Sequence, residues 1–120
     1  KQRTKKADMA IINYKAGDKV QLMVSRADNV LVGYLCDSDV IRRQVYGRVT
    51  DYNPAFADTI DMGPSLRDAS DSLVMTATNF TGGGQVAFTI NVNGAEKARV
   101  SDDIAVNSSK SWAFTLQRVT

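Results

Sequence analysis

The sequence predicts an all-β fold, an antiparallel β-sandwich of about seven or eight short strands with at most one short helix. Three observations support this prediction. Several segments alternate between apolar and polar residues, turn signals recur about every 8 to 12 residues, and almost no segment has apolar residues at helical spacing. A small β-barrel is the alternative that this pattern leaves open. The 120 residues, 43% of them hydrophobic and 23% charged, suit one globular domain.

The N-terminal part of the domain contains three candidate strands. Met9–Tyr14 and Val20–Val24 flank Lys15–Asp18, whose glycine and aspartate are typical of a turn. Val30–Leu35 is an almost continuous apolar run, which predicts a strand that is buried on both faces.

The middle of the chain is less regular. Residues 37–44 allow a helical turn capped by Asp37 or by the serine after it, and equally a strand with a bulge. Val45–Thr50 alternates and predicts a strand with one basic, polar face. Tyr52–Ser70 contains two prolines and no sustained periodicity. This segment therefore predicts one long loop, with a short helix near Ser65–Ala69.

The C-terminal part gives the clearest strand pattern. Leu73–Phe80 is β-prone, and the glycine run Gly82–Gly84 after it predicts a flexible hairpin turn. Val86–Val92 alternates with a period of two, so we expect this strand to be half buried. Asn93 and Gly94 then suit the two positive-φ positions of a type I′ turn. The partner strand of this turn and the last strand, with its tryptophan in the core, are predicted at Glu96–Ser101 and Trp112–Leu116.

A short basic segment precedes a nearly neutral domain. Residues 1–6 carry four basic side chains, whereas residues 7–120 carry 11 basic and 13 acidic ones, a net charge of −2. We therefore divide the chain into a flexible arm, residues 1–6, and one sandwich domain, residues 7–120. The arm, Lys1–Lys6, is a candidate tether for nucleic acid, anionic lipid or acidic glycan, and nucleic acid is expected as a partner only there. A solvated terminus without a partner is the alternative.

Several residue types that carry catalytic chemistry are rare or missing. The sequence has no His, which rules out a Ser-His-Asp or Cys-His site, and its one Cys cannot supply a zinc centre. We interpret Cys36 as a small buried apolar side chain. An acid–base pair among the twelve Asp and one Glu stays open, but no spacing selects one. The sequence therefore predicts a protein that is not an enzyme. It also predicts no membrane span, because no apolar run reaches about 18 residues.

Acidic residues in predicted connections form the first candidate site. The candidates for ligand binding are Asp37, Asp39, Asp58, Asp61, Asp102 and Asp103. Calcium binds about six to eight carboxylate and carbonyl oxygens, which sandwich loops can supply, so calcium is a candidate cofactor. Its candidate ligands are Asp37, Asp39, Asp102 and Asp103. The alternative is that these side chains stabilise turns by accepting hydrogen bonds from nearby backbone N–H groups.

The second candidate site is an internal basic and aromatic cluster. It consists of Arg42, Arg43, Tyr46 and Arg48. If Tyr46 and Arg48 share one strand face, they can hold a phosphate, a sulfated sugar or another anionic partner. The alternative is a solvated sheet face whose arginines pair with nearby aspartates.

Two functions fit these patterns. The leading hypothesis is a non-catalytic, lectin-like binding module that recognises a glycan or a protein at a cell surface through loops at one end of the sandwich. The long loop predicted at Tyr52–Ser70 is its main support, because such loops in small domains are often functional. The alternative is a structural subunit of a coat or appendage, a homo-oligomer whose strands pack against copies of itself. The N-glycosylation triplets at Asn79–Thr81 and Asn107–Ser109 are compatible with an extracellular or surface location, which we favour.

Overall fold

The computed structural model describes residues 9–36, 42–50, 56–66, 69–82 and 84–119. These residues form nine β-strands and one 3-10 helix. The helix, η1, is Gly63–Ser65. The strands are β1 (Met9–Lys15), β2 (Val20–Ala27), β3 (Asn29–Cys36), β4 (Arg42–Thr50), β5 (Asp58–Asp61), β6 (Ser70–Asn79), β7 (Gly84–Val92), β8 (Ala95–Ile104) and β9 (Ser108–Val119).

The strands form two sheets that pack face to face, so the predicted β-sandwich is confirmed and the barrel alternative is wrong. Sheet A has the strand order β1-β9-β6-β3-β4, and sheet B has the order β5-β2-β7-β8. Paired strands run antiparallel except β1 and β9, which are parallel. Among the described residues there is no α-helix, as the lack of helical spacing predicts.

Alternation along the strands builds the core between the two sheets. In β6, Leu73 and Met75 are fully buried while their neighbours in sequence are partly exposed. From sheet B, the ring of Phe88 meets the rings of Trp112 and Phe114 edge to face, with centroids 5.8 and 6.0 Å apart. Trp112 is partly buried and packs against the core, as its alternation with Phe114 predicts.

The hairpin between β7 and β8 has the predicted turn. Asn93 and Gly94 have φ angles of 51° and 83°, the positive values that a type I′ turn requires. Asparagine tolerates this region better than most residues because its short polar side chain bonds locally. The partner strand begins at Ala95 and ends at Ile104, which is three residues later than the predicted end at Ser101.

The connection after β6 crosses from one sheet to the other, so the hairpin predicted at Gly82–Gly84 is wrong. β6 pairs with β3 and β9 in sheet A, whereas β7 pairs with β2 and β8 in sheet B. The fully buried Asn79 stabilises this crossing, because its amide donates to the carbonyl oxygens of Gly82 at 2.8 Å and Ile104 at 2.9 Å. Glycine content predicts a change of direction but not the sheet in which the next strand lies. Gly83 lies outside the described residues.

Strand β3 is buried on one face only, which corrects the prediction for Val30–Leu35. Leu31 and Leu35 are buried, whereas the alternate residues Val32 and Tyr34 are partly exposed. The apolar run reflects the central place of β3 in sheet A, between β6 and β4. Among the described strands no second layer covers the other face of sheet A, since sheet B packs against one face only.

The segment predicted as one long loop contains regular structure. Strand β5, Asp58–Asp61, pairs with β2 at the edge of sheet B. The helix lies at Gly63–Ser65 and not near Ser65–Ala69. Four residues are too few for a periodicity to be recognised, and aspartate is uncommon in strands, so the local pattern gives no strand there. Residues 51–55 and 67–68 lie outside the described residues, as do residues 37–41 of the segment predicted as a helical turn or strand.

Candidate functional site

Strand β4 directs its tyrosine and one arginine toward sheet B. Tyr46 and Arg48 share one face, as the anion-site hypothesis requires, and that face points inward, since Tyr46 is buried. β4 is the edge of sheet A, and β5 is the edge of sheet B. Oδ2 of Asp58 in β5 accepts a hydrogen bond from the Tyr46 hydroxyl at 2.7 Å and one from Nη1 of Arg48 at 2.9 Å. These three side chains therefore connect the two sheet edges.

Within this cluster the positive charge of Arg48 is compensated by the negative charge of Asp58. Burial, followed by the hydrogen bond to Asp58, raises the pKa of Tyr46, so the hydroxyl stays protonated and remains a donor. The guanidinium carbon of Arg48 lies 3.8 Å from the centroid of the Phe56 ring, a cation–π contact. Arg48 and Asp58 neutralise each other at 2.9 Å. The pairing of Arg48 with Asp58 agrees with the alternative of arginines that pair with nearby aspartates, but the face points toward sheet B and is not a solvated sheet face.

An open depression of about 250 Å³ lies beside this cluster, on the outward face of sheet B. Its lining combines an aromatic ring, a thioether, hydroxyl groups and both signs of charge. Among the residues that line it are Met23, Phe56, Asp58, Thr89, Arg99 and Ser101. Such a surface offers apolar contact and hydrogen bonds to the same small ligand.

Strand register explains how the floor of the depression is built. Thr59, Met23, Thr89 and Arg99 stand opposite one another in turn across all four strands of sheet B. Directly opposed side chains in a sheet have Cβ atoms about 4.5–5.5 Å apart, so these four form one continuous row. The row carries a hydroxyl, a thioether, a second hydroxyl and a guanidinium.

Arg99, at the end of this row, is held by a two-point contact. Its Nε and Nη2 donate to the two carboxylate oxygens of Glu96 at 3.0 and 2.6 Å. This hydrogen bonding lowers the pKa of Glu96 and raises that of Arg99. Both groups are solvent-exposed, so the contact orients the guanidinium more than it stabilises the fold.

The predicted acidic ligands that fall among the described residues lie on two different strands. Asp58 and Asp61 lie in strand β5, and Asp102 and Asp103 lie in strand β8, so neither pair sits in the connection where it was predicted. Oδ2 of Asp102 accepts a hydrogen bond from Nζ of Lys110 at 2.9 Å, which lowers the pKa of that carboxyl. Alternating burial in β8 turns Asp103 to the opposite face, where it is exposed.

Within the described ranges, no group of three or more His, Cys, Asp or Glu side chains could hold a metal ion. Two of the four predicted calcium ligands, Asp37 and Asp39, lie outside the described residues. The calcium hypothesis therefore stays a prediction.

Arg43, another arginine of the predicted basic cluster, contacts other elements than Arg48 does. Nη2 of Arg43 donates to the backbone oxygen of Ser65 at 2.6 Å and lies 3.7 Å from Oδ1 of the buried Asp71. These contacts belong to η1 and β6, whereas the contacts of Arg48 belong to β5 and to the segment before it. The side chain of Arg42 lies outside the description.

The sequence did not predict the row of residues that forms the floor of the depression. Thr89 was recognisable as an outward residue of β7 from its alternation with Phe88 and Ile90. No alternation predicts the position of Phe56, because this residue precedes a strand of only four residues. The pairing of Met23 with Thr89 depends on β2 and β7 being neighbours, although more than 60 residues separate them in the chain.

The two glycosylation triplets differ in the folded protein. Asn79 is fully buried, and its amide is bound to two carbonyl oxygens, so this triplet cannot carry a glycan without disrupting the crossing. Asn107 is exposed in the turn between β8 and β9. Only the second triplet is therefore accessible.

Comparison of this chain with protein-family models, with curated proteins and with solved structures gave no match in any of the three. Among the described residues, no helix is long or apolar enough to cross a membrane.

Proposed function

We propose that this chain is a non-catalytic binding module that holds one sugar residue of a glycan in the depression on sheet B. The observation that carries the proposal is the row of Thr59, Met23, Thr89 and Arg99, with the ring of Phe56 in the same lining. A sugar ring presents C–H groups on its faces and hydroxyl groups around its rim. Thioether and aromatic groups suit the first, and hydroxyl and guanidinium groups suit the second.

The size of the depression supports a small ligand. Its volume of about 250 Å³ lies slightly below the range of about 300–1,000 Å³ that is usual for sites enclosing drug-sized molecules. Because the depression is open to solvent along the sheet, a longer chain could continue past the bound residue. The proposal is therefore one sugar residue in contact with the floor, with the rest of the glycan outside.

The carboxylate beside the depression supports binding over catalysis. Among the residues that line the depression, Asp58 is the only carboxylate described, and Tyr46 and Arg48 already occupy its Oδ2. Glycoside hydrolysis ordinarily requires two carboxyl groups that flank the bond to be broken.

The proposed site differs in place from the one that the sequence suggested. The sequence suggested loops at one end of the sandwich, whereas this depression lies on a sheet face. One element is common to both, since Phe56 and Asp58 come from the segment that the sequence marked as a functional loop.

The test is a titration of the ¹⁵N-labelled chain with a panel of neutral and acidic monosaccharides, followed by NMR. The proposal expects saturable shifts of the amides of Met23, Thr89 and Ser101 for at least one sugar. Thr89→Val removes one hydroxyl at nearly constant volume, and we expect it to weaken binding about 5- to 20-fold, which corresponds to one net hydrogen bond.

The matched control is Thr78→Val, which removes a hydroxyl from the outward face of sheet A, where Thr78 bonds Ser109 at 2.9 Å. This variant is expected to leave sugar affinity unchanged. Shifts confined to the turns at the ends of the sandwich, or no saturable shift with any sugar in the panel, would contradict the proposal.

A further inference from the structure

The centre of the outward face of sheet A lacks charge. Over the described strands β3, β6 and β9, which form its centre, no outward-facing residue is charged. The outward residues of these strands are Val30, Val32, Tyr34 and Cys36 in β3, Ser70, Ser72, Val74, Thr76 and Thr78 in β6, and Ser109, Ser111, Ala113, Thr115, Gln117 and Val119 in β9. The outward face of sheet B differs, because Asp61, Arg99 and Asp103 are exposed along it. Exposed sheet faces ordinarily carry charge, so sheet A departs from the usual pattern.

Exposed apolar side chains lie on both edge strands of this face, and Lys15 at the end of β1 places one charge at its corner. Ile11 in β1 is 66% exposed and Val49 in β4 is 72% exposed, and these strands form the two edges of the sheet. Between them the central strands carry mostly short, uncharged side chains. The hydroxyls of Thr76 and Ser111 lie 2.9 Å apart, as do those of Thr78 and Ser109, so each pair shares a hydrogen bond across the strands.

We infer that the outward face of sheet A is the interface of a homodimer, with a second copy of this chain as its occupant. Five strands at about 4.8 Å spacing, with about ten residues at about 3.3 Å each, give a face of roughly 24 by 33 Å, or about 800 Å². A standard protein–protein interface buries about 800 Å² on each partner. The face therefore has the area that a stable dimer needs.

The absence of charge favours a second copy over a charged partner. Nucleic acid and acidic proteins are attracted by basic groups, which this face does not offer in its described central strands. Two copies of a face with an uncharged centre meet there without like-charge repulsion, and a two-fold axis brings the two identical centres together. Sheets packed in this way lie about 10 Å apart, with their outward side chains interdigitated. This inference does not rest on the depression, which lies on the other sheet.

The experiment is sedimentation velocity on the full chain between about 1 and 300 μM. The expected result is a concentration-dependent shift from monomer to dimer, with a dissociation constant in the micromolar range or tighter, which is usual for interfaces of this area. Thr76→Lys places a lysine at the centre of the face in both copies. It should weaken the dimer at least about 100-fold, because like charges opposed across an interface are strongly unfavourable.

Gln21→Lys is the matched control, since Gln21 lies on the central strand β2 and faces outward from sheet B. This control is expected to dimerise like the wild type. Ile11→Lys and Val49→Lys keep the test valid if Thr76→Lys does not fold, because both positions are largely exposed. A wild-type chain that stays monomeric up to 300 μM, or equal weakening by Gln21→Lys, would overturn the inference.

Discussion

The side chains of Asp18 and Asn93 are hydrogen-bonded at 2.9 Å although 75 residues separate them in the chain. Oδ2 of Asp18 also accepts a hydrogen bond from the backbone N–H of Lys15 at 2.8 Å. The side-chain oxygen of Asn93 accepts one from the backbone N–H of Lys19 at 2.9 Å. These bonds fasten the turn in which the chain crosses from sheet A to sheet B onto the β7–β8 hairpin.

Asp18→Asn is expected to lower the melting temperature at neutral pH but not in acid. The hydrogen bonds from Lys15 and Asn93 lower the pKa of the folded Asp18 carboxyl below its unfolded value of about 3.9. A group with a lowered folded pKa stabilises the protein above its unfolded pKa, and this contribution is lost as the pH falls through the folded pKa. The difference in melting temperature between wild type and variant should therefore be largest above about pH 5 and should diminish as the pH falls through the folded pKa.

Thermal unfolding followed by circular dichroism from pH 2 to 7 measures this difference. Other carboxyls with lowered pKa values, such as Asp102, are present in both proteins, so the comparison isolates Asp18. A difference in melting temperature that does not change with pH would refute the assigned role of the carboxylate.

Two substitutions of Asn93 separate its backbone conformation from its hydrogen bonds. Asn93→Gly keeps the positive φ of 51° accessible and removes the side-chain bonds, so it should cost about 0.5–1.5 kcal/mol in the free energy of unfolding. Asn93→Ala removes the same bonds and also places a Cβ-bearing residue without a local polar group in the left-handed region. It should cost about 1–2 kcal/mol more than the glycine variant. Urea denaturation measures both, and equal losses would mean that backbone conformation contributes little at this turn.

The sequence predicts the fold class and the C-terminal strands because their signals are local. Val86–Val92 alternates over a full strand, and Asn93 with Gly94 specifies the turn that follows. The errors lie where the answer depends on distant contacts. The residue types near Gly82 do not distinguish a hairpin from a crossing, since the choice depends on the burial of Asn79 and on the partners of each strand, which no local pattern shows.

The candidate site was harder to predict than the fold for the same reason. Tyr46 and Arg48 were identified as neighbours on one strand face, which their spacing of two residues requires. Their partner Asp58 was identified separately, as an acidic ligand. The contact between them depends on β4 and β5 lying at facing edges of the two sheets. A single sequence does not contain that information in any local pattern.

The Tyr46 hydroxyl is expected to stabilise the fold through Asp58. Tyr46→Phe removes the 2.7 Å hydrogen bond and should lower the free energy of unfolding by about 1 kcal/mol. In the background of Asp58→Ala the same tyrosine substitution should cost less, because the acceptor is already absent. A double-mutant cycle from urea denaturation measures this coupling, which we expect to be about 0.5–1.5 kcal/mol. Additive losses would show that the hydroxyl and the carboxylate act independently.

Two glycine substitutions test how tightly the crossing between the sheets is packed. A Cβ atom on Gly84 would lie 2.8 Å from the backbone oxygen of Asp28 and 2.8 Å from Cγ of the buried Asn79. Because Cγ of Asn79 cannot move without disturbing the hydrogen bonds of its amide, and the Asp28 oxygen belongs to the backbone, Gly84→Ala should cost about 2–3 kcal/mol.

Gly47→Ala is the matched control for Gly84→Ala on the exposed edge strand β4. Its Cβ would meet only the end of the Gln44 side chain, which is exposed and can rotate away. Alanine also loses less conformational entropy on folding than glycine, so this variant should be neutral or stabilising by up to about 1 kcal/mol. Urea denaturation of both variants gives the comparison. If Gly84→Ala proves as stable as the wild type, as is expected of Gly47→Ala, the crossing has room for a methyl group. Asn79 would then stabilise the crossing by hydrogen bonding without close packing.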